Sequence, residues 1–226
     1  MSAVKIEDYE TNKRILINKN KLPNMSYQLL KQDVLFYQRF LKANGFYNDV
    51  LDGSWGPVTN AADAAFVQKS ESIKTELGAV DSKSESNIIT LIPQAQIAAR
   101  KFLAILTGAG KDVRILSGTR TYAEQDALYK QGRNGNKLPK VTNAKGGQSN
   151  HNFGLAWDIG LFENGNYTGT DSKYQALPAL VLPQLPELEW GGNWINFKDF
   201  PHYQLKSVSE MVADIKNLFE NGKLYV

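Results

Sequence analysis

The chain has 226 residues and a formal net charge of +3, from 26 Lys and Arg against 23 Asp and Glu. With 42% hydrophobic and 22% charged residues it has the balance of a globular protein, long enough for one large domain or a medium and a small one. It has no cysteine, which excludes disulfides, thiolate metal sites and Cys nucleophiles and leaves His, Asp and Glu as the strong metal ligands. The basic residues are scattered, unlike the stripe of a nucleic-acid protein, and a mild positive bias suits an anionic polymer.

The first residues, MSAVKIEDYETNKR, lack the apolar stretch of a secretory signal, and no run approaches the roughly 18 apolar residues of a membrane span. Synthesis in a cytoplasm without membrane insertion is expected. Residues 1–28 are polar apart from Ile15–Ile17 and read as an arm.

Leu30, Val34, Tyr37 and Leu41 recur at helical spacing and predict a helix from Leu29, stopped by Gly45. Asp52-Gly53 and Gly56-Pro57 are turn signals, and Pro57 suits the first turn of a second helix whose buried face would be Ala62, Ala65 and Phe66. A short helix near Ser84–Leu91 ends before Pro93. These make a three-helix unit, residues 29–93, with a boundary near Ile92-Pro93.

The remainder, residues 94–226, opens with a helix carrying Ala98, Phe102 and Ile105 in register up to Gly108. Val113–Leu116 reads as a strand. Thr121 and Glu124 form a capping box for a helix running to about Gln131. Residues 133–150 form a long Gly-, Asn- and Lys-rich loop, a length that is usually functional. Leu155–Phe162 alternates as a strand. Residues 174–186 are helical but broken by Pro178 and Pro183, and His202–Leu205 is a short strand. Ser207 and Glu210 suggest a capping box for a last helix with Met211, Ile215 and Leu218 inward. Strands interleaved with helices indicate an α+β fold with a small antiparallel sheet.

The chain has two histidines, His151 and His202, neither on an amphipathic helix face. Imidazole nitrogens and a carboxylate are what Zn²⁺ takes when thiolates are absent, and a catalytic site needs three protein ligands with a fourth position open. His151, Asp158 and His202 meet that count. Strand alternation puts Asp158 on the side of the small residues Ala156 and Gly160, away from Leu155, Trp157 and Ile159, leaving room for an ion. By spacing alone a satisfied surface histidine and a turn aspartate explain these residues as well.

Read together, the second half carries Ser117-Gly118-Thr119-Arg120, then Gln125 and Leu128, then Ser149-x-His151-x-x-Gly154-x-Ala156-x-Asp158, then Trp190-Gly191-Gly192-x-Trp194 and Asp199-x-x-His202. Over about residues 95–205 this order resembles the zinc peptidases of the VanY-like D-alanyl-D-alanine carboxypeptidase family, above all its L-alanyl-D-glutamate endopeptidases of phage endolysins and bacterial wall enzymes. Residues 141–149 resemble that branch too. Asn193 stands where the family pattern carries Asp.

The resemblance implies one zinc ion per chain on His151, Asp158 and His202, with Asp199 as general base and Arg120 on a substrate carboxylate or the oxyanion. It further implies Gln125, Ser149 and Trp190 along the substrate. Without it, Asp199 is a turn residue before Pro201, Arg120 a surface ion pair, Ser149 a turn or ligand-supporting residue, and Trp190 and Trp194 core or cleft wall.

Val34-x-x-x-Gln38-x-x-Leu41, Gly45, Asp52-Gly53-Ser54-Trp55-Gly56-Pro57-x-Thr59 and Phe66 resemble the three-helix peptidoglycan-binding domain of wall hydrolases, although Val67 separates Phe66 from Gln68 where that family pairs Phe with Gln. Tyr47 and Trp55 are its candidate contacts, with core packing as their alternative.

The expectation is a monomeric peptidoglycan hydrolase that cuts the L-Ala–D-Glu bond and reaches the wall by holin-type release or a secretion system. The alternatives are a D-Ala-D-Ala carboxypeptidase of the same family and a non-catalytic wall-binding protein.

Overall fold

The computed structural model describes residues 27–133 and 135–226. The expected arm through residue 26, with Ile15–Ile17, and the side chain of Leu30 lie outside the described residues.

Helix α1 spans Tyr27–Ala43 and ends where Gly45 turns left-handed at φ 79°. Helix α2, Pro57–Leu77, starts with proline at its first turn, where the missing N–H has no helical partner to lose. Its buried positions are Thr59, Ala62, Phe66, Ser70 and Ile73. Ala65, expected inward, is exposed because it falls one residue off that stripe. Helix α3, Ser82–Ile88, is capped by the Asp81 carboxylate, which accepts from Lys83 N and Ser84 N. Helix α4, Pro93–Gly108, buries Ala95, Ala98, Ala99, Phe102, Leu103 and Leu106.

Strands β1 (Asp112–Ser117), β2 (Ala156–Glu163), β3 (Asn166–Tyr167), β4 (Leu188–Trp190) and β5 (His202–Leu205) form one antiparallel sheet ordered β1-β2-β5-β4, with β3 pairing the far end of β2. The α+β architecture with a small antiparallel sheet is as expected. β3 and β4 are additions, each too short to leave an alternating pattern.

Between β1 and β2 lies helix α5 (Tyr122–Tyr129), with the Thr121–Glu124 capping box in place. The helical stretch after β3 is two short helices, α6 (Asp171–Gln175) and α7 (Pro178–Val181), and Pro178 opens the second. Helix α8 is Val212–Glu220. The expected Ser207–Glu210 cap does not form. Ser207 Oγ donates to Ser209 O, the helix starts later, and Ser209 Oγ accepts from Met211 N while donating to Asp214. Met211 is accordingly exposed, and Ile215 and Phe219 face inward.

Each sheet face has its own chemistry. Trp157 pairs with Tyr203, and Tyr203 with Trp190, on the face covered by α4, where Phe102 lies 4.6 Å from the Tyr203 ring. Burying an aromatic of this kind contributes about 1.5–3 kcal/mol. The opposite face carries Ser117, Asp158 and His202, with Asp158 in register with both others. The core is continuous across Pro93: Phe40, Phe66 and Ile92 belong to the same buried cluster as Phe153 and Tyr203.

Candidate metal centre

Two adjacent strands and one turn build the site. Asp158 on β2 faces His202 on β5 directly across the ladder. His151 lies in a 3-10 turn, Asn150–Phe153, closed by Gly154 at φ 70°. A Cβ at Gly154 would lie 2.8 Å from the Phe40 ring and 3.0 Å from Ile92, so both its backbone angle and its packing require glycine. The turn is pinned on its other side, where Arg120 N donates to His151 O and Asn152 Nδ2 donates to Arg120 O.

These elements bring three ligand atoms together. His151 Nε2 lies 3.1 Å from Asp158 Oδ1 and 3.2 Å from His202 Nδ1, and His202 Nδ1 lies 3.2 Å from Asp158 Oδ1. Ligands held about 2.0–2.1 Å from a tetrahedral zinc stand about 3.3–3.4 Å apart, so this triangle has the size of one face of such a site.

The outward atoms set the tautomers. His151 Nδ1 is 2.7 Å from Gly118 O, which only accepts, so the ring hydrogen is there and Nε2 presents a lone pair. His202 Nε2 is 2.9 Å from Gln204 Oε1 and donates to it, leaving Nδ1 as the inward atom. The Gln204 oxygen is fixed by its own amide, which donates to Glu189 Oε2 at 2.7 Å, and by Asn150 Nδ2 at 2.9 Å. Three acceptor atoms thus converge, an arrangement that a cation satisfies and that a proton satisfies only in part.

Electrostatics agree at His151 and Asp158 and run the other way at His202, where the Asp158 carboxylate favours a proton as it would favour any cation. Burial, and then the Arg120 charge, push His151 down to about 4, so it stays neutral. Burial opposes ionisation of Asp158, but its interactions with His151, Arg120 and His202 outweigh it and hold the carboxyl well below its usual range. Burial works against protonation of His202 as well, yet the hydrogen bond and charge of Asp158 raise it. Asp199 is raised, first by burial and then by the Asp158 charge.

Asp199 is placed by its backbone: its N–H donates to Gly191 O, and its carbonyl accepts from His202 N. Among the described residues the cluster that could hold a metal ion is His151, Asp158 and His202, and Asp199 is close enough to feel the charges of Asp158 and His202. The Trp194 ring lies 4.8 Å from the His202 ring and forms one wall. Trp190 is buried on the aromatic sheet face and donates from Nε1 to Phe200 O. Ser149 is half-buried at the start of the 3-10 turn.

Each nitrogen of the Arg120 guanidinium meets a protein acceptor, with Nε to Ser117 Oγ at 3.2 Å, Nη1 to Gln125 Oε1 at 2.9 Å and Nη2 to Asp158 Oδ2 at 2.6 Å, which uses three of its five N–H groups. Gln125 is completely buried.

Away from this centre, Tyr47 is buried, and its hydroxyl donates to Val50 O and accepts from Gln38. Trp55 is half-buried and stacks on Tyr37 at 5.9 Å.

Gln204 and the Gly118 carbonyl are functional groups that sequence reasoning missed. Gln204 was findable: two residues after His202 on a strand, it had to share that ligand's face. The Gly118 carbonyl left no side-chain signal.

Residues 142–205 match the sequence profile of a family described as D-alanyl-D-alanine carboxypeptidase. The chain is 39% identical over 110 residues to the peptidoglycan L-alanyl-D-glutamate endopeptidase CwlK of Bacillus subtilis (strain 168). That alignment covers 45% of this chain and 65% of the relative. Among solved structures, the L-Ala D-Glu endopeptidase ChiX of Serratia marcescens is similar with a TM-score of 0.44 at 24% identity, over 56% of this chain and 89% of that one.

Proposed function

We propose that this protein is a zinc-dependent peptidoglycan endopeptidase of the D-alanyl-D-alanine carboxypeptidase family that cuts the L-Ala–D-Glu bond of stem peptides. The observation that carries this reading is the triangle of His151 Nε2, Asp158 Oδ1 and His202 Nδ1, with both imidazole hydrogens turned outward. The 39% identity to an L-alanyl-D-glutamate endopeptidase supports the choice of bond.

His151, Asp158 and His202 would hold one zinc ion. When bound, zinc supplies Lewis acidity, bringing the pKa of a coordinated water from 15.7 toward about 7 and polarising the scissile carbonyl. The protein's own residues do the rest. The Asp199 carboxylate takes the proton of the attacking water and returns it to the leaving amine nitrogen. Its raised pKa, due to burial and Asp158, brings it toward that task. Trp194 walls the centre beside His202 and limits water there. Ser149, at the start of the turn that carries His151, borders the substrate, whereas Trp190, expected there too, is packed in the core on the opposite sheet face.

Residues 29–93 form the wall-anchoring unit, with Trp55 as its contact and Tyr47 supporting the loop from beneath. The protein acts as a monomer and reaches the wall after release from the cytoplasm.

Digestion of purified sacculi tests the bond. Mass spectrometry should find new N-terminal D-Glu. Release of D-Ala alone would instead support the carboxypeptidase reading, which the description of the matching family favours. An Asp199→Asn variant should bind sacculi and zinc but lose lytic activity.

A further inference from the structure

Arg120 and Gln125 stand where the family resemblance puts substrate contacts, yet their polar atoms are committed elsewhere. The three guanidinium nitrogens of Arg120 each meet a protein acceptor. Gln125 has no exposed surface. Its oxygen accepts from Arg120, and its nitrogen donates to Ala144 O at 3.0 Å and Thr142 Oγ1 at 3.3 Å.

We infer that Arg120 and Gln125 are positioning residues that clamp Asp158 as a one-oxygen metal ligand and tie that ligand to the 142–144 segment of the long loop. The inference rests on the metal reading above.

The chain of contacts is continuous. Arg120 Nη2 occupies Asp158 Oδ2, so only Oδ1 is free to face His151 and His202. A planar guanidinium holding Ser117, Gln125 and Asp158 at once cannot turn toward a substrate without releasing one of them. Ser117 is the β1 residue paired with Asp158, so the fork bridges neighbouring strands beside the ligand. Gln125 then fixes the guanidinium from behind. Its amide also supplies two hydrogen bonds to the loop, beside those of Arg133 to Thr142 O, Gly146 N to Asp126 and Gly147 N to Asn152. Two oxygens of one carboxylate are thereby given separate duties, one toward the ion and one toward the scaffold. A carboxylate free to offer both would crowd the position a catalytic site keeps open.

The alternative, that Arg120 and Gln125 touch substrate, makes opposite predictions. Loss of a substrate contact raises KM and leaves metal affinity alone. Loss of a ligand's outer partner typically costs about 10–100-fold in metal affinity or activity.

The test uses the full chain, stripped of metal by a chelator and titrated with Zn²⁺ against a chromophoric competitor, with Co²⁺ absorption as a second reading of coordination. Gln125→Leu and Arg120→Lys should each weaken zinc binding by about 10–100-fold. Both should also alter the Co²⁺ spectrum and lower kcat on soluble stem-peptide fragments, with KM little changed. Gln125→Glu, which keeps the acceptor for Arg120 but loses the donor to the loop, should bind zinc better than Gln125→Leu while its loop becomes more sensitive to protease. Arg120→Lys carries the test if Gln125→Leu does not fold. Unchanged zinc affinity in both variants with a raised KM would overturn the clamp while leaving the metal reading intact. A wild-type chain that takes up no zinc would overturn both.

Discussion

His202 and Gln204 point from the same face of β5, and the Gln204 amide oxygen lies 2.9 Å from His202 Nε2. This contact leaves Nδ1 as the imidazole nitrogen turned toward Asp158 and His151. Gln204→Leu leaves the ring free to exchange tautomers and removes the acceptor shared with Asn150. Zinc affinity should fall by about 10–100-fold, as is typical for a ligand's outer partner, whereas Gln204→Glu should preserve it. Competition titration of the metal-free variants checks both.

Metal removal should destabilise the fold as well as the activity. An ion bound to the native state alone, at a thousand times its Kd, adds about 4 kcal/mol. For a chain of this size that corresponds to a Tm shift on the order of 10 °C. Scanning calorimetry with and without chelator should show the shift in the wild type. It should be nearly absent in His202→Ala.

Arg100 and Glu85 form a buried ion pair between α4 and α3, with Nη2 2.7 Å from Oε2 and the arginine side chain only 1% exposed. Glu85→Ala would strand a buried guanidinium, at a cost of about 3–5 kcal/mol measurable by denaturant unfolding.

The same pair gives a pH signature. Burial works to raise Glu85, but the Arg100 hydrogen bond and charge outweigh it and lower its pKa. A carboxyl lowered on folding contributes stability that is fully present above the unfolded value of about 4.3 and lost as pH falls through the folded one. Denaturant midpoints should therefore drop below about pH 4.3, and the drop should be shallower in Glu85→Gln.

Much of this was legible in the chain because its signals are local. Pro57 and Pro93 each open a helix, and Thr121 with Glu124 closes its capping box. The alternation through Ala156, Asp158 and Gly160 put Asp158 on the face where His202 meets it. The failures are tertiary. Ser207 and Glu210 look like a cap, but Ser207 is taken by the Ser209 carbonyl and the helix begins later. Ala65 is a good helix former on the wrong side of its stripe. The commitment of Arg120 to Ser117, Gln125 and Asp158 depends on the pairing of β1 with β2 and on a hydrogen bond across 38 residues, and no window of sequence contains it.

Gly154→Ala adds a further check on the turn that presents His151. The left-handed backbone costs a non-glycine residue about 1–2 kcal/mol. Crowding against Phe40 and Ile92 adds about 1–3 kcal/mol more. Thermal unfolding should register the sum, and zinc affinity should fall as His151 shifts.

The His151 turn rests on helix α8 and the residues beyond it. Phe219 packs 5.3 Å from the Phe153 ring, and Tyr225 donates to Phe153 O at 2.7 Å. A chain emerging from a ribosome displays the side chains of His151, Asp158 and His202 once residue 205 is out, yet the floor beneath the first of them arrives some way later. Burial of the His151 turn therefore waits for residues 219–225, which lie after every side chain of the cluster it serves.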